Sequence, residues 1–231
     1  MGRGLLRRLW ADPAWAGALF LCLGRDRAKL EALRDAAAGA GADLAFVPCD
    51  LGERGSAVRA WESLGAPPLK GLFLGAGAAW DKPLRSQSEA EFETCLRVNF
   101  SSHAQLLERL DRPQALLEGA RGVLVGSYAA VSGRAGQCAY ATAKAALEGL
   151  LAGSPAGLRL NLLLPPLMPS PMLDVLSPEA RGRLFAECWM EDPDPVASCA
   201  EAAAFLLGEG SAYLHRRTLH ADSRVGSLGW A

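Results

Sequence analysis

The chain has 231 residues, half of them hydrophobic, and its 24 basic and 25 acidic residues nearly cancel. The charges form no basic stripe and no block of one sign, so a nucleic-acid or acidic-membrane partner has no electrostatic support. A chain of this length and composition can build one α/β domain with a sizeable core.

The N-terminal region combines several arginines with an apolar run, as a secretory signal does. Asp12 and Pro13 precede the run at Ala18–Leu23, however, and charged residues follow it where a cleavage site would need small ones. We therefore interpret this run as a buried strand. Elsewhere in the sequence, no apolar stretch approaches the ~18 residues that a membrane span requires.

Short apolar runs alternate with amphipathic helical patterns along the whole chain. The predicted strands are Ala18–Leu23, Leu44–Pro48, Gly71–Leu74, Gly122–Gly126, Leu158–Leu164 and Thr218–Ala221. The predicted helices are Gly4–Leu9, Arg27–Ala38, Ser56–Leu64, Glu89–Leu110, Ala139–Leu151, Pro178–Cys188 and Val196–Leu207. Because the strand runs are apolar throughout, they are typical of parallel strands that are covered on both faces. The alternation predicts an α/β fold with a doubly wound parallel sheet, as a single domain over residues 1–231.

The cysteines and histidines are placed as in an intracellular protein without a metal. Six cysteines are widely spaced and include no Cys-x-x-Cys pair, and the three histidines form no cluster. This pattern predicts free thiols in a reducing compartment rather than disulfides or zinc ligands. We accordingly expect a cytoplasmic protein that binds no metal.

One helix of otherwise small and apolar residues carries two chemically active side chains. Tyr140 and Lys144 are four residues apart, so a helix places them on one face. Ser127 follows a predicted strand thirteen residues before Tyr140, and Asn99 lies further upstream in Val-Asn-Phe. Each residue alone has an ordinary structural interpretation, such as a half-buried ring, a lysine with a buried stem or a local capping serine. Their joint order and spacing favour a catalytic function.

This order resembles that of the short-chain dehydrogenase/reductase family over essentially the whole chain. The segments Val-Gly-Ser, Gly-Gln-Cys-Ala-Tyr and Ala-Lys-Ala-Ala-Leu are most similar to those of 3-oxoacyl-acyl-carrier-protein reductases. The resemblance implies a Rossmann-like fold and a catalytic tetrad of Asn99, Ser127, Tyr140 and Lys144.

The resemblance also assigns a role to each member of the tetrad. A free tyrosine has a pKa near 10, and a neighbouring ammonium group lowers that value, so we expect Lys144 to lower the pKa of Tyr140. Ser127 is expected to hydrogen-bond the substrate carbonyl. By the same resemblance, Lys144 holds the nicotinamide ribose, and Asn99 bends its helix and anchors a water molecule that resupplies protons.

A nicotinamide dinucleotide site is implied as well. Its predicted residues are Gly2, Arg25, Asp50, Leu51, Gly75, Ala76, Tyr140, Lys144, Met168 and Ser170. Gly2 corresponds to the last glycine of the turn that holds the pyrophosphate, and Asp50 with Leu51 corresponds to a pair that contacts adenine. Arg25 stands just past a predicted strand, where an arginine accommodates a 2′-phosphate, so NADPH is the predicted cofactor. The alternative is a surface arginine that begins a helix.

The chain departs from the family pattern in two places. It opens directly in the turn and helix, without the first strand, which the family places centrally. Its absence would leave two open strand edges inside the sheet, with unpaired buried backbone groups that cost about 1–3 kcal/mol each. We therefore expect the natural polypeptide to begin upstream of Met1.

The second departure is a short helix. Only fourteen residues separate Lys144 from Arg159, so the helix that commonly forms a subunit interface ends early. This favours a homodimer, or a hetero-oligomer with a related subunit, over the usual tetramer.

Two functions follow from these observations. The first is an NADPH-dependent ketoreductase that reduces a 3-oxoacyl thioester or polyketide-type ketone, free or bound to a carrier protein, in fatty acid or polyketide biosynthesis. The second is a non-catalytic member of the family that serves as a regulatory or structural subunit. The missing strand, and Leu-Gly-Ala-Gly in place of the family's Asn-Asn-Ala-Gly, favour the second function. The intact tetrad favours the first.

Overall fold

The computed structural model describes residues 1–132, 135–168, 173, 177–179, 181–182 and 194–221. The strands in these ranges are β1 (Leu19–Gly24), β2 (Asp43–Pro48), β3 (Leu69–Leu74), β4 (Leu116–Val125), β5 (Leu158–Leu164) and β6 (Thr218–His220). The α-helices described in full are α1 (Gly2–Trp10), α2 (Arg27–Gly39), α3 (Ser56–Ser63), α4 (Glu89–Leu96), α5 (Ser102–Leu110), α6 (Ala129–Ser132), α7 (Cys138–Ala152) and α8 (Pro195–Leu207). A π-helical turn at Arg97–Ser101 joins α4 to α5.

The predicted elements are confirmed, with two differences. Strand β4 begins at Leu116, six residues before the predicted start at Gly122. The helix predicted over Glu89–Leu110 is α4, the π-helical turn and α5 in succession. The helix predicted over Pro178–Cys188 lies largely outside the described residues.

Polar side chains fix where several helices begin. Asp26 accepts a hydrogen bond from the Lys29 N–H at 3.1 Å at the start of α2. Ser88 and Glu91 form a reciprocal capping box at α4, and Asp194 caps α8. Each cap satisfies backbone N–H groups that would otherwise lack a partner at a helix start.

Helices cover both faces of the larger sheet, which confirms the doubly wound α/β architecture. On one face, α5 and α7 pack on the strands through buried residues that include Leu107, Leu124 and Leu147. On the other face, α1 and α8 contribute Leu5 and Leu206 to a second core. No helix in the described ranges is long and apolar enough to cross a membrane.

The strands form two parallel sheets rather than one. Strand β1 pairs with β2, and the other sheet has the order β3-β4-β5-β6. Within the described ranges, no strand pairs with the second edge of β1 or with the free edge of β3. Both edges border a cavity of about 660 Å³, which we call the interstrand slot; it lies between residues 19–23 of β1, 69–74 of β3 and 2–9 of α1. The expectation of two open strand edges is thus confirmed.

Candidate active site

The predicted tetrad lies where parallel strands end. Ser127 follows β4 by two residues, and Tyr140 and Lys144 are one turn apart on α7. Asn99 lies in the π-helical turn that leads into α5. The carboxyl edge of a parallel sheet is where α/β folds commonly bind their ligands.

Ser127 lies beside Tyr140, where its hydroxyl group acts to lower the pKa of the phenol. Ser127 Oγ also accepts a hydrogen bond from the Ala129 N–H at 3.2 Å, which holds the serine in the turn after β4. The serine is therefore within reach of the phenol, and one substrate oxygen could contact both hydroxyl groups.

Lys144 is almost completely buried, with 3% of its surface exposed. Its Nζ donates to the Val125 carbonyl oxygen at 2.9 Å and lies 5.8 Å from the centroid of the Tyr140 ring. Burial lowers the pKa of Lys144 to about 8, and the nearby Cys95 thiol acts in the opposite direction.

Tyr140 has a raised pKa rather than the lowered one that the sequence predicts. Burial is the largest cause, and the neighbouring Ser127 hydroxyl group opposes it. The expectation that Lys144 acidifies Tyr140 is wrong for this structure, because the lysine donates to Val125 and desolvation dominates the phenol. Burial thus favours the neutral form of both groups.

Asn99 is fully buried and ties the π-helical turn to the loop after β3. Its Nδ2 donates to the carbonyl oxygens of Ala78 at 2.7 Å and of Cys95 at 2.9 Å, and its Oδ1 accepts from the Ala78 N–H at 3.2 Å. The π-helical turn interrupts the regular α-helical hydrogen bonding at this point. The predicted role of Asn99 in anchoring a water molecule stays a prediction.

Gly77 is a site residue that the sequence analysis missed. A Cβ atom at this position would lie 2.7 Å from Asn99 Oδ1 and 3.4 Å from Lys144 Nζ. A side chain here would therefore displace one or both of these groups. The available signal was its position as the last glycine of Leu-Gly-Ala-Gly, directly before Ala78.

Arg25 and Asp50 line a second cavity, of about 450 Å³, beyond the carboxyl ends of β1 and β2. Arg59 of α3 lines the same cavity and was not predicted. The Asp50 carboxylate is held in its own loop, since Oδ1 accepts from the Gly52 N–H at 2.8 Å. Glu53 lines the cavity too, and its carboxylate lies 3.7 Å from the Arg59 guanidinium. Guanidinium groups suit an anionic group such as a phosphate, which would share Arg59 with Glu53 here.

The remaining predicted cofactor residues lie away from that second cavity. Gly2, Leu51, Gly75 and Ala76 line the interstrand slot. Met168 is half-buried in the segment after β5, and Ser170 lies outside the described residues. The structure therefore places Arg25 and Asp50 at one cavity and the four tetrad residues near one another. It does not place all ten predicted cofactor residues at a single cavity.

The residues present fit two phosphate-bearing parts of a nicotinamide dinucleotide, the phosphorylated ribose and the pyrophosphate. Arg25 and Arg59 suit a phosphorylated ribose, and the start of α1 at Gly2 offers helix N–H groups of the kind that bind phosphates. Across the described residues, no three His, Cys, Asp or Glu side chains are placed to share a metal ion. The five cysteines in these ranges are free thiols, as predicted.

The sequence is similar to known reductases. The sequence model of the family described as enoyl-(acyl carrier protein) reductase matches residues 12–223. The 3-oxoacyl-acyl-carrier-protein reductase of Escherichia coli strain K12 is 29% identical over 156 residues, which are 65% of this chain and 64% of that reductase. The match thus spans just under two thirds of that reductase. Nodulation protein G of Rhizobium sp. strain N33 is 26% identical over 236 residues, or 99% of this chain and 93% of that protein.

Solved structures share the fold at lower identity. A blue fluorescent protein from a metagenomic library, in complex with NADPH, has a TM-score of 0.80 at 24% identity, covering 96% of this chain and 91% of that one. NAD⁺-bound xylitol dehydrogenase has a TM-score of 0.79 at 21% identity, covering 96% and 94%. At these identities the likeness shows the fold alone.

Proposed function

Because the chain belongs to the short-chain dehydrogenase/reductase family, we propose that it is an NAD(P)-dependent oxidoreductase and, more specifically, an NADPH-dependent ketoreductase. The observation that carries the proposal is the placement of Ser127 and Tyr140 side by side, with the buried Lys144 Nζ 5.8 Å from the centroid of the Tyr140 ring. Two hydroxyl groups that meet at the carboxyl edge of a parallel sheet can both contact one carbonyl oxygen.

The proposed reaction converts a ketone to an alcohol by adding a hydride to carbon and a proton to oxygen. The cofactor, when bound, supplies the hydride. Tyr140 donates the proton, and its raised pKa keeps that proton on the phenol at neutral pH. Ser127 donates a hydrogen bond to the same oxygen as negative charge develops on it.

Lys144 and Asn99 assist the two hydroxyl groups in this chemistry. When protonated, Lys144 stabilises the phenolate that remains after Tyr140 has donated its proton. A pKa of about 8 lets the amine exchange protons with its surroundings near neutral pH. Asn99 holds the Ala78 segment in place beside the lysine. That Lys144 also holds a ribose, and Asn99 a water molecule, belongs to the same proposal.

NADPH is the proposed cofactor because of two arginines at the second cavity. Arg25 and Arg59 line it together with Asp50 and Glu53, and a 2′-phosphate there would meet two guanidinium groups. The neighbouring structures include one with NADPH and one with NAD⁺, so the fold does not decide between the cofactors and the proposal rests on these two arginines. The other proposed contacts are Gly2, Asp50, Leu51, Gly75, Ala76, Met168 and Ser170.

The proposed substrate is a 3-oxoacyl thioester or polyketide-type ketone, free or attached to a carrier protein. The similarity to a 3-oxoacyl-acyl-carrier-protein reductase supports this class. We extend the proposal to a role in fatty acid or polyketide biosynthesis, and to a homodimer or a hetero-oligomer with a related subunit. The free thiols of the described ranges support a reducing compartment such as the cytoplasm.

A non-catalytic subunit is the second candidate function. The interstrand slot favours it, because within the described ranges no strand pairs with the edges of β1 and β3 that border the slot. Such a chain would keep the family's fold and use it for assembly rather than for turnover.

The two candidates are separated by incubating the purified protein with NADPH and an acetoacetyl thioester and following cofactor oxidation. For the ketoreductase, Tyr140→Phe should lower turnover by about 10²-fold or more, since the proton donor is lost. Tyr213→Phe is the matched control, because Tyr213 is 79% exposed and should leave turnover unchanged. Full turnover in Tyr140→Phe would disprove the catalytic role, and failure of the parent chain to bind NADPH would favour the non-catalytic subunit.

A further inference from the structure

The loop between β2 and α3 carries two residues of the proposed cofactor site. We call residues 50–55 the adenosine loop, because Asp50 and Leu51 are the proposed contacts of the adenine. Hydrogen bonds of Asp50 fix the local shape of this loop. Its Oδ1 accepts from the Gly52 N–H at 2.8 Å, and its carbonyl oxygen accepts from Ser56 Oγ at 2.5 Å. Such local bonds do not determine where the loop lies relative to the rest of the fold.

Two side chains from distant parts of the chain bind the backbone of the adenosine loop. The Arg97 guanidinium donates to the Gly52 carbonyl oxygen at 3.0 Å. Gln105 Oε1 accepts from the Gly55 N–H at 2.9 Å. The partners are 45 and 50 residues apart in the sequence, so both bonds tie the loop to the segment that contains the π-helical turn and α5.

The chemistry of each bond suits its place in the loop. Gly55 precedes α3 with φ of +72°, a left-handed backbone that favours glycine, and it has no side chain with which to cap the helix. Its backbone N–H requires a partner, which Gln105 supplies. The bond from Arg97 involves a charged donor, and such bonds are roughly twice as strong as neutral ones. Glu93, one turn earlier, lies 3.7 Å from the Arg97 guanidinium and helps to orient it.

The π-helical turn also reaches the catalytic tetrad. Arg97 is its first residue, and Asn99, two residues later, bonds to the backbone of Ala78 at 2.7 and 3.2 Å. The adenosine loop follows β2 of one sheet, whereas Ala78 follows β3 of the other sheet. Within the described residues, no ladder hydrogen bond joins these two sheets. The turn therefore connects a loop that follows one sheet with a loop that follows the other.

We propose that Arg97 and Gln105 are positioning residues for the adenosine end of the cofactor, because they hold the adenosine loop in place relative to the tetrad. This proposal rests on the proposed function and assigns a role to two residues outside the predicted site. Neither residue lines the interstrand slot or the second cavity, so both act through the loop backbone rather than by touching the cofactor. A loop that is already in place lowers the entropic cost of binding.

The alternative is that the two bonds contribute to folding stability alone. In that case their loss lowers the free energy of unfolding but leaves the affinity of the folded protein for the cofactor unchanged. A positioning role has a different signature. Releasing the loop lowers the fraction of folded molecules that are competent to bind, and the apparent Kd rises in proportion. Turnover at saturating cofactor should be kept, because the tetrad retains its own contacts.

The test compares three variants of the full chain with one matched control. Arg97→Met and Gln105→Met remove the bonds to the loop, and Arg97→Lys restores a charged donor at the first position. Arg109→Met is the control, because Arg109 of α5 also bonds across to α3, at 2.9 Å to Glu62, but near the end of α3 that is away from the loop. The quantities to measure are the Kd values for NADPH, NADH and 2′,5′-ADP, and kcat at saturating NADPH with the acetoacetyl thioester.

The expected result is a loss of affinity without a loss of turnover. Arg97→Met should raise all three Kd values by about tenfold, since the bond to a charged group is lost and the three ligands share the adenosine. Its kcat should stay within about twofold of the parent value. Gln105→Met should act in the same direction, and Arg97→Lys should recover part of the affinity. Arg109→Met should leave the three Kd values unchanged.

Amide hydrogen exchange gives a readout that needs no cofactor. The amides of residues 51–55 should exchange about tenfold faster in Arg97→Met than in the parent, because the loop is no longer held from outside. In Arg109→Met these amides should exchange as they do in the parent. Unchanged exchange in Arg97→Met would show that other contacts already hold the loop, which would overturn the proposal.

The binding data distinguish the failure of this proposal from the failure of the proposed function. Equal Kd values in the parent and Arg97→Met would overturn the positioning role, as would an equal loss in Arg109→Met. A loss for NADPH and 2′,5′-ADP but not for NADH would overturn it too, because Arg97 would then contact the 2′-phosphate directly. A parent that binds 2′,5′-ADP but does not oxidise NADPH refutes the ketoreductase alone, and the Kd values still decide on Arg97. A parent that binds none of the three ligands refutes both.

Discussion

Replacing Lys144 with methionine tests whether burial controls the charge of the active site. The pKa of Lys144 is lowered from 10.5 to about 8, so between these values the unfolded chain binds more protons than the folded chain. The lysine therefore destabilises the fold below about pH 8, and the penalty fades as pH rises toward the unfolded value. Integrating this difference in bound protons over pH gives a gain of about 2–3 kcal/mol in unfolding free energy between about pH 7 and 10.

The assay is urea unfolding of the parent and of Lys144→Met at several pH values across this range. The quantity to follow is the difference between the two proteins, because Cys22 and Cys49 have raised pKa values that affect both. Relative to the variant, the parent should gain about 2–3 kcal/mol of unfolding free energy toward alkaline pH.

Lys70→Met is the control for this experiment. Lys70 is exposed and also donates to a backbone carbonyl, that of Glu118, at 2.7 Å. Its difference from the parent should stay constant over the same range. A constant difference for Lys144→Met as well would refute the reasoning, since it would mean that the amine is solvated in the folded chain.

Two further predictions concern positioning and cofactor choice. Asn99→Ala removes three hydrogen bonds that a fully buried side chain makes to the backbone. It should lower the unfolding free energy by about 3 kcal/mol and turnover by about tenfold or more. Asn161→Ala is the control, because Asn161 is equally buried but bonds to Leu214 and Arg217, away from the tetrad. This variant should lose stability but keep turnover. An equal loss of turnover would contradict the positioning role of Asn99. Arg25→Ala should raise the KM for NADPH about tenfold or more without changing kcat or the KM for NADH, and equal effects on both cofactors would contradict a 2′-phosphate contact.

The sequence predicts secondary structure best where nearly all residues of a run are buried. Strand β5 is found over the predicted Leu158–Leu164, because almost every residue in the run is buried. The outer part of β4 was missed because its first residues are partly exposed and alternate less clearly. The break between α4 and α5 was missed because Asn99, which lies in it, forms hydrogen bonds with a loop that is distant in sequence. A local sequence pattern does not predict such contacts.

Predictions for the candidate active site are limited in the same way, because they depend on contacts between distant segments. The spacing of Tyr140 and Lys144 predicts their neighbourhood on α7, but it does not predict which influence on their pKa values is largest. That depends on how deeply the surrounding segments bury them, and burial outweighs proximity here. Arg59 and Gly77 became recognisable only when the fold placed them beside predicted residues.

The interstrand slot and the proposed cofactor site are physically coupled. Arg25 and Asp50 follow the β1–β2 sheet, whereas Ser127 follows the other sheet, and no ladder hydrogen bond joins the two sheets within the described residues. Contacts of helices and loops therefore set the distance between the two ends of the site, such as the bond from Arg97 to the Gly52 carbonyl oxygen at 3.0 Å.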